Sequence, residues 1–459
     1  MNFSVKVICY LLIALLIVTA CGCASKKSTA NESFAVNTGD FDMSQFDSSE
    51  TAGNTSSENG ESKPDNTQKT DNTSKNSEGN KTNTSSETTA GNSSYNFSDD
   101  EFTPMEIPSR KNAYKLSNTY KKMKNGESVK VVYFGGSVTN GYGASDESKY
   151  SWRALTTAYL KSVSSGTVTE INAAEGGTGS YFGAARFEHD VSSKKPDLVF
   201  IEFAINDVYS GISAELSKAN LEYMINNLYS ANPYADIVIV LVTNKANYGT
   251  AYSSYRAHRA VADHYGIPIV DLGGEAYNRL QGNYTGLFSN SDSVHPTDEG
   301  YKLYADIMKD ALKELLVSAP AAQHKKPASM ISKNGFVTLT NMQADSVNHS
   351  GWSIYSWRNS KGAAYHSLYP KCLNPNSTTA TLNLSFTGNT LGFIGTVKEK
   401  CTLTFVVDGS RKKIFQGTAD SSKIEHPLFE DLDNTTHTVT VKVDGNCDAE
   451  IAAFVVTKR

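Results

Sequence analysis

A serine, a histidine and an aspartate stand where they could carry out nucleophilic chemistry. Ser137 follows Gly135 and Gly136 directly after the apolar run VKVVYF, so its hydroxyl could be exposed at the end of a strand. Asp292 lies three residues before His295 in DSVHP, a spacing that lets the carboxylate fold back and hold the imidazole in one tautomer. A histidine oriented in this way can act as a general base toward a nearby serine. Taken singly, GGS also fits a strand-to-helix turn capped by the serine, and DSVHP fits a capping turn before a helix.

Two further clusters could donate hydrogen bonds to a developing negative charge. Asn206 lies near the end of the apolar run DLVFIEFAIND, where its side-chain amide could donate to an oxyanion. The small residues of EGGTGS would let backbone N–H groups point into the same cleft. An ordinary turn between a strand and a helix, or an Asn-Asp cap, would use the same residue types, so neither cluster is diagnostic alone.

Several other chemistries do not fit this sequence. A phosphate-binding loop needs Gly-Lys-Ser/Thr, and a G-x-S-x-G turn needs glycine where Thr139 stands. The region of the four clusters contains no cysteine, which argues against a cysteine nucleophile. His258 and His264 lie six residues apart on a predicted helix and do not share a face, so we interpret them as surface or packing residues. We expect neither a metal nor an organic cofactor.

Runs rich in Val and Ile alternate with helical patterns between residues 105 and 320. This alternation predicts an α/β domain with a parallel sheet covered by helices on both faces. In such domains ligands bind at the carboxyl ends of the strands, which is where the clusters fall. The predicted strands are 129–136, 168–175, 197–207, 236–243 and 267–272, and the predicted helices are 148–163, 180–194, 214–232, 254–266 and 297–317.

In chain order, the motifs GGSVT, EGGTGS, AIND and DSVHP resemble the motif blocks of the SGNH hydrolase superfamily, often called GDSL esterases. The resemblance spans about residues 128–317 and implies a three-layer α/β/α sandwich of the flavodoxin-like type. It implies Ser137 as the nucleophile, His295 as the base and Asp292 as the residue that orients the histidine. The implied oxyanion hole consists of the backbone N–H groups of Ser137 and Gly177 and the side-chain amide of Asn206.

Two positions depart from the superfamily pattern. Gly136 stands where an aspartate is usual, and Ala204 stands where a glycine is usual. Neither change removes a group that breaks bonds, but the first leaves open how the turn that carries Ser137 is braced. Gly177 rather than Gly179 is implied as the donor, because it stands five residues after the Asn of INAAEGG, as in the superfamily.

The N-terminal part of the chain resembles an export signal followed by a tether. Residues 1–23 combine a short basic start, an apolar run too short for a comfortable membrane span, and the sequence VTAC, which resembles a bacterial lipobox. That resemblance implies lipidation of Cys21; Cys23, a plain cleaved signal and an uncleaved anchor are the alternatives. Residues 24–104 are dominated by Ser, Thr, Asn, Gly, Lys and Glu, which predicts a disordered linker. We expect a lipoprotein on the extracellular face of a bacterial cell membrane, or a secreted protein.

Residues 330–459 change to short alternating strands separated by turn signals such as Asp408-Gly409. This pattern predicts an antiparallel β-sandwich without a helix of note. Its predicted strands are FVTLTNM, TATLNLSF, TLGFIGTV, CTLTFVVDG, HTVTVKVDG and AEIAAFVVT. Within them, the pattern GNTLGFIGTV, LTFVVDG and HTVTVKV resembles the jelly-roll modules found with carbohydrate esterases.

Two sets of side chains in this β-region leave alternatives open. Some aromatic rings could be exposed and stack on sugar faces, although in a small sandwich they more often belong to the core. These are Trp352, Tyr355, Trp357 and Tyr365. The cysteines allow one disulfide with a free thiol, or no disulfide. They are Cys372, Cys401 and Cys447.

The four motifs together predict a serine-dependent ester hydrolase. Export, a hydrophilic tether and an appended β-sandwich favour a polymer outside the cell, so the leading hypothesis is removal of O-acetyl groups from a polysaccharide. A lipid or short-chain acyl esterase or lysophospholipase would keep the same catalytic residues. A non-catalytic carbohydrate-binding lipoprotein and a surface scaffold are further alternatives, and the intact catalytic set argues against both. The net charge of −5 gives no sign of a nucleic-acid partner.

Overall fold

The computed structural model describes residues 106–357, 364–419 and 423–459. The signal sequence, the linker and Cys21 lie outside these residues. An α/β region comes first and is followed by antiparallel sheets, which confirms the predicted fold class. Within the described ranges, no helix combines the length and the apolar character that crossing a membrane requires.

Strands and helices alternate along the α/β region, as predicted. Its strands are β1 (Val129–Gly135), β2 (Val168–Asn172), β3 (Leu198–Glu202), β4 (Asp236–Leu241) and β5 (Ile269–Asp271). Its helices are α1 (Ser117–Lys124), α2 (Ser137–Asn140), α3 (Glu147–Tyr150), α4 (Trp152–Val163), α5 (Ser180–Asp190), α6 (Ala204–Ser210), α7 (Ala214–Ala231), α8 (Ser253–Tyr265), α9 (Leu272–Arg279) and α10 (Asp298–Leu315).

The five strands form one parallel sheet in the order β2-β1-β3-β4-β5. Every residue of β3 and β4 is buried, because helices cover both faces of the sheet. The chain leaves β1 toward one edge of the sheet and later returns to place β3 on its other side. A crevice therefore opens between the carboxyl ends of β1 and β3, and this is where ligands bind in sheets of this order.

The last helix shows how the sequence fixes one wall of this crevice. The Thr297 hydroxyl accepts a hydrogen bond from the backbone N–H of Gly300 at 3.1 Å, which caps α10 at its start. Tyr301, Tyr304 and Met308 follow at helical spacing and are fully buried. The cap and the apolar face together fix the position of the DSVHP turn that precedes the helix.

Two predicted elements differ from the observed ones, one by ending early and one by being interrupted. The predicted strand 197–207 stops at Glu202, and AIND forms the first turn of α6 instead. Asn and Asp favour a helix start over a strand interior because their side chains bond to nearby backbone groups. The predicted helix 148–163 is interrupted at Ser151, whose hydroxyl accepts from the backbone N–H of Ala154 at 3.1 Å and starts α4. Helices α1 and α9 were not predicted.

Two antiparallel sheets make up the C-terminal part. Their strands are β6 (Thr338–Gln343), β7 (Asn348–Ser350), β8 (Trp352–Ser356), β9 (Lys371–Pro375), β10 (Thr381–Gly388), β11 (Thr390–Val397), β12 (Thr402–Val407), β13 (Arg411–Gln416), β14 (Glu425–Phe429), β15 (Thr435–Asp444) and β16 (Ala449–Lys458). One sheet has the order β13-β12-β15-β10-β7; the other has the order β14-β11-β16-β9-β8, with β6 also paired to β16. All six segments picked out from the sequence form strands, and the strands missed are mostly short, charged or proline-containing, such as RKKIFQ and EHPLF.

The second sheet is buried on both faces. Phe454 and Val456 of β16 face the core between the two sheets. Ala453 and Val455, which alternate with them, pack in a separate cluster with Tyr181 and other residues of the α/β region. This alternation explains why β11 and β16 are apolar along almost their whole length, whereas β10 alternates buried and exposed residues.

The packing of the C-terminal part shows which of its aromatic rings are buried and how its cysteines pair. Trp352, Trp357 and Tyr365 are buried and contribute to the cores, so the hypothesis that they form an exposed sugar platform is wrong for these three. Tyr355 is 57% exposed. Cys401 and Cys447 form a disulfide, and Cys372 is a buried free thiol.

Candidate active site

The structure brings Ser137, His295 and Asp292 into one hydrogen-bonded chain. His295 Nε2 lies 2.8 Å from Ser137 Oγ, although 158 residues separate them in sequence. His295 Nδ1 lies 2.7 Å from Asp292 Oδ2. With Nδ1–H donating to the carboxylate, Nε2 is free to accept the serine proton, which is the arrangement a general base requires. The serine sits at the carboxyl end of β1, at the mouth of the crevice.

The DSVHP turn holds its aspartate in an ionised form. Asp292 Oδ1 accepts hydrogen bonds from the backbone N–H groups of Val294 at 2.8 Å and His295 at 3.0 Å. Partial burial acts to raise the pKa of Asp292, but these bonds and the His295 ring outweigh it and hold the pKa below its usual value. The carboxylate therefore keeps its charge beside the imidazole.

The amide of Asn206 lies against the turn that carries the serine. A Cβ atom added to Gly136 would stand only 2.3 Å from Asn206 Nδ2, so this approach requires glycine. This contact lies at the position where the superfamily pattern usually has an aspartate. One Nδ2 hydrogen of Asn206 is donated to the carbonyl oxygen of Thr178 at 2.8 Å. Asn206 thereby joins the serine turn to the EGGTGS segment.

Gly177 and Gly179, the two candidate backbone donors of the EGGTGS segment, have different environments. Gly177 is exposed and adopts a φ of 72°, a left-handed conformation that favours glycine. The backbone N–H of Gly179 instead donates to the carboxylate of Glu425, a residue of β14. The Gly179 N–H is thus already engaged, and Gly177 stays the predicted oxyanion donor. We name residues 175–179 the oxyanion loop.

A buried carboxyl group that the sequence analysis did not single out braces the serine turn. Glu202, the last residue of β3, pairs with Gly135 of β1 in the sheet register. Its Oε2 accepts from Thr139 Oγ1 at 2.9 Å and from the backbone N–H of Gly136 at 3.4 Å. Glu202 takes the bracing role left open by the missing aspartate. A charged residue inside the otherwise apolar run DLVFIEF was the signal in the sequence.

The other histidines considered as metal ligands have structural partners. His258 is fully buried, and its Nε2 lies 3.3 Å from Asp207 Oδ2. The Nε2 of His264 lies 2.8 Å from the Ser329 carbonyl oxygen at the surface. Within residues 106–357, 364–419 and 423–459, no group of three His, Cys, Asp or Glu side chains is placed to hold a metal ion.

The environment of Glu202 makes stability depend on pH. Burial raises the pKa of Glu202 to about 8 from a usual value of 4.5, against the hydrogen bonds from Thr139 and Gly136. Above the usual value the unfolded chain releases the proton while the folded chain retains it, so the stability contributed by the protonated group is lost as pH rises through the folded-state pKa. Glu202→Gln, which mimics the protonated group, should remove this loss.

We therefore expect Glu202→Gln to be more stable relative to the wild type at pH 8 than at pH 5, by on the order of a few kcal/mol. Urea unfolding of both proteins at the two pH values measures the difference. An equal difference at both pH values would show that Glu202 is ionised in the folded protein at neutral pH.

Comparison with known proteins agrees with this fold. Residues 133–303 match the model of the GDSL-like lipase/acylhydrolase family. No curated protein gives a significant match. Two crystal structures of a two-domain esterase (CEX) active on acetylated mannans, one co-crystallised with mannopentaose, superimpose with a TM-score of 0.63 each. Their sequence identities are 21% and 20%, and the alignments cover 76% of this chain and 96% and 99% of those chains.

The matched fold includes both parts of the described chain, because an alignment over 76% of its length extends beyond the α/β region. The family match, the parallel sheet and the order of the four motifs confirm the resemblance seen in the sequence. Residues 133–303 are similar to the GDSL-like lipase/acylhydrolase family, over a stretch that includes Ser137, Asn206, Asp292 and His295.

Proposed function

We propose that this protein is a serine esterase that removes O-acetyl groups from an extracellular polysaccharide. The observation that carries the proposal is the hydrogen-bonded chain from Ser137 Oγ through His295 to Asp292, at 2.8 and 2.7 Å. This chain lies at the crevice where a parallel sheet of this order binds its ligand.

In the proposed reaction Ser137 Oγ attacks the acetyl carbonyl carbon while His295 Nε2 takes the hydroxyl proton. The electron pair of the carbonyl moves onto its oxygen, which is stabilised by the N–H groups of Ser137 and Gly177 and by the Asn206 amide. Each such donor typically lowers the barrier by about 3 kcal/mol. Asp292 stabilises the positive charge that His295 gains.

The tetrahedral intermediate then collapses. The bond between the carbonyl carbon and the sugar oxygen breaks, and His295 returns its proton to that oxygen, which leaves an acetyl group on Ser137. Water, deprotonated by the same histidine, attacks the acetyl-enzyme and releases acetate. Every proton in this sequence passes through His295 Nε2.

A carbohydrate substrate is supported by an aromatic ring beside the reacting atoms. Tyr142 is 41% exposed, and its ring centroid lies 5.8 Å from that of His295. Its backbone is held by two hydrogen bonds: its N–H donates to the Ser137 carbonyl at 3.0 Å, and its carbonyl accepts from the Tyr301 hydroxyl at 2.6 Å. A fixed, half-exposed ring at this place can stack on the face of a sugar.

Further support comes from the two-domain esterase whose fold this chain shares and which acts on acetylated mannans. That match makes acetylated mannan the first polymer to test, with acetylated xylan as a comparison. The proposed location outside the cell and the lipid anchor at Cys21 rest on the N-terminal sequence pattern.

Ester hydrolysis should depend on Ser137 and prefer a short acyl group. We expect the wild-type protein to hydrolyse p-nitrophenyl acetate faster than the butyrate or octanoate ester and to release acetate from an acetylated polysaccharide. Ser137→Ala should lower kcat by at least about a thousandfold while leaving thermal unfolding unchanged, because the side chain supplies the nucleophile and little packing.

A preference for octanoate would favour a lipid substrate. Hydrolysis that persists in Ser137→Ala, or glycan binding without hydrolysis, would contradict the proposal.

Tyr142 should matter for a polymer and not for a small ester. Tyr142→Ala should raise KM for acetylated mannan by roughly 2- to 10-fold, the energy of one aromatic stacking contact, and leave KM for p-nitrophenyl acetate nearly unchanged. Tyr234→Ala is the matched control, since Tyr234 is 47% exposed and precedes β4, near the amino ends of the strands rather than the carboxyl ends where Ser137 lies. Equal effects of both variants on the polymer would exclude a specific stacking role.

A further inference from the structure

A second carboxylate, from the C-terminal sheets, reaches into the base of the oxyanion loop. Glu425 lies in β14, opposite Ile394 of β11, and is 1% exposed. Its Oε1 accepts from the backbone N–H of Gly179, and its Oε2 accepts from that of Phe182 at 2.8 Å. The hydroxyl of Ser210 also donates to Oε1 at 2.8 Å. These three donors come from the oxyanion loop, α5 and α6.

These contacts place Glu425 at the first turn of α5, which directly follows the oxyanion loop. The N–H groups of a first helical turn have no partner inside the helix, and a carboxylate satisfies them well. Asp207, from α6, accepts the neighbouring N–H of Ser180 through Oδ1 at 2.6 Å. The two carboxylates share the turn, one from each part of the chain.

Gly179 is packed directly against both carboxyl groups, so its position depends on them. A Cβ atom added to Gly179 would lie 2.6 Å from Asp207 Oδ1 and 3.1 Å from Glu425 Oε1. Two residues before Gly179, Gly177 carries the proposed oxyanion donor, and Thr178 between them accepts from the Asn206 amide at 2.8 Å. A shift of Gly179 would therefore displace both the Gly177 N–H and the Asn206 side chain.

We propose that Glu425 is a positioning residue for the oxyanion hole, so that the C-terminal sheets contribute to the rate of ester hydrolysis and not only to substrate binding. The proposal rests on the proposed function, since it assigns the loop to transition-state stabilisation. Glu425 touches no reacting atom. It acts through the Gly179 and Phe182 N–H groups, which fix the direction of the peptide units before them.

Variants of two residues from the C-terminal sheets that contact the same helix, α5, test this role in the full chain. Glu425→Ala removes the contact at the first turn of α5, and Glu425→Gln keeps the side-chain size but presents an amide N–H₂ to backbone donors. The matched control is Asn341→Ala, because Asn341 Nδ2 also joins the C-terminal sheets to α5, donating to the Ala185 carbonyl at 2.8 Å, away from the oxyanion loop.

p-Nitrophenyl acetate has no sugar to bind. With this substrate we expect both Glu425 variants to lower kcat by about 10- to 100-fold, which does not exceed the fall in kcat that follows removal of one oxyanion donor. KM should change by less than about threefold, because the interaction acts in the transition state. The inhibition constant of a boronic acid, which forms a tetrahedral adduct with the serine, should rise in parallel with the loss in kcat. Asn341→Ala should stay within about twofold of the wild type in all three quantities.

Amide hydrogen exchange of residues 175–183 gives a readout that does not depend on activity. Exchange in this segment should be faster in the Glu425 variants, including Glu425→Gln if Glu425→Ala does not fold, and unchanged in Asn341→Ala. Unaltered kcat and unaltered exchange, or a loss shared equally by Asn341→Ala, would overturn the inference. If the wild-type protein hydrolyses no ester, the proposed function fails, and the exchange comparison alone then decides whether Glu425 holds the loop.

Discussion

The close approach of β1 and β3 at their carboxyl ends sets the geometry of the whole site. Their register pairs Gly135 with Glu202, and the next residues of each strand turn toward the crevice. At this point the Asn206 amide lies against Gly136, where an added Cβ atom would stand only 2.3 Å from Asn206 Nδ2. The serine turn, the bracing carboxyl group and the oxyanion donor are therefore consequences of one strand pair. His295 and Asp292 reach the same point from the start of α10.

Buried carboxyl groups are the second recurring feature of the site. Glu202 holds the turn that carries Ser137, whereas Glu425 and Asp207 hold the helix that follows the oxyanion loop. Burial raises the pKa of both Glu202 and Glu425, because water no longer solvates their charge. Such groups are costly to bury unless hydrogen bonds compensate, and here the compensating donors belong to the serine turn, to the loop 175–179 and to helices α5 and α6. The hydrogen bonds that offset the cost of burial therefore also fix the positions of the serine turn and of the loop 175–179.

The side chains that stand in short, recognisable segments could be predicted from the sequence. The contacts between residues far apart in the chain could not. GGS, AIND and DSVHP each identify a side chain within a short segment, and their order along alternating strands and helices predicts a common edge of a sheet. The bracing role of Glu202 depends on the register of two strands, which no local pattern reveals. The contact of Glu425 with Gly179 spans 246 residues and joins two different folds, so it depends on how their surfaces pack. The aromatic residues show the same limit, since burial of Trp357 and exposure of Tyr142 follow from packing rather than from residue type.

The central claim is that Ser137, activated by His295, is the nucleophile. Incubating the full chain with diethyl p-nitrophenyl phosphate and mapping the product by peptide mass spectrometry tests it most directly. The account predicts release of one p-nitrophenol per chain and a diethylphosphoryl group on the peptide that contains Ser137, with the reaction greatly slowed in His295→Ala. A phosphoryl group on a different residue, or labelling of Ser137 at the same rate without His295, would contradict it.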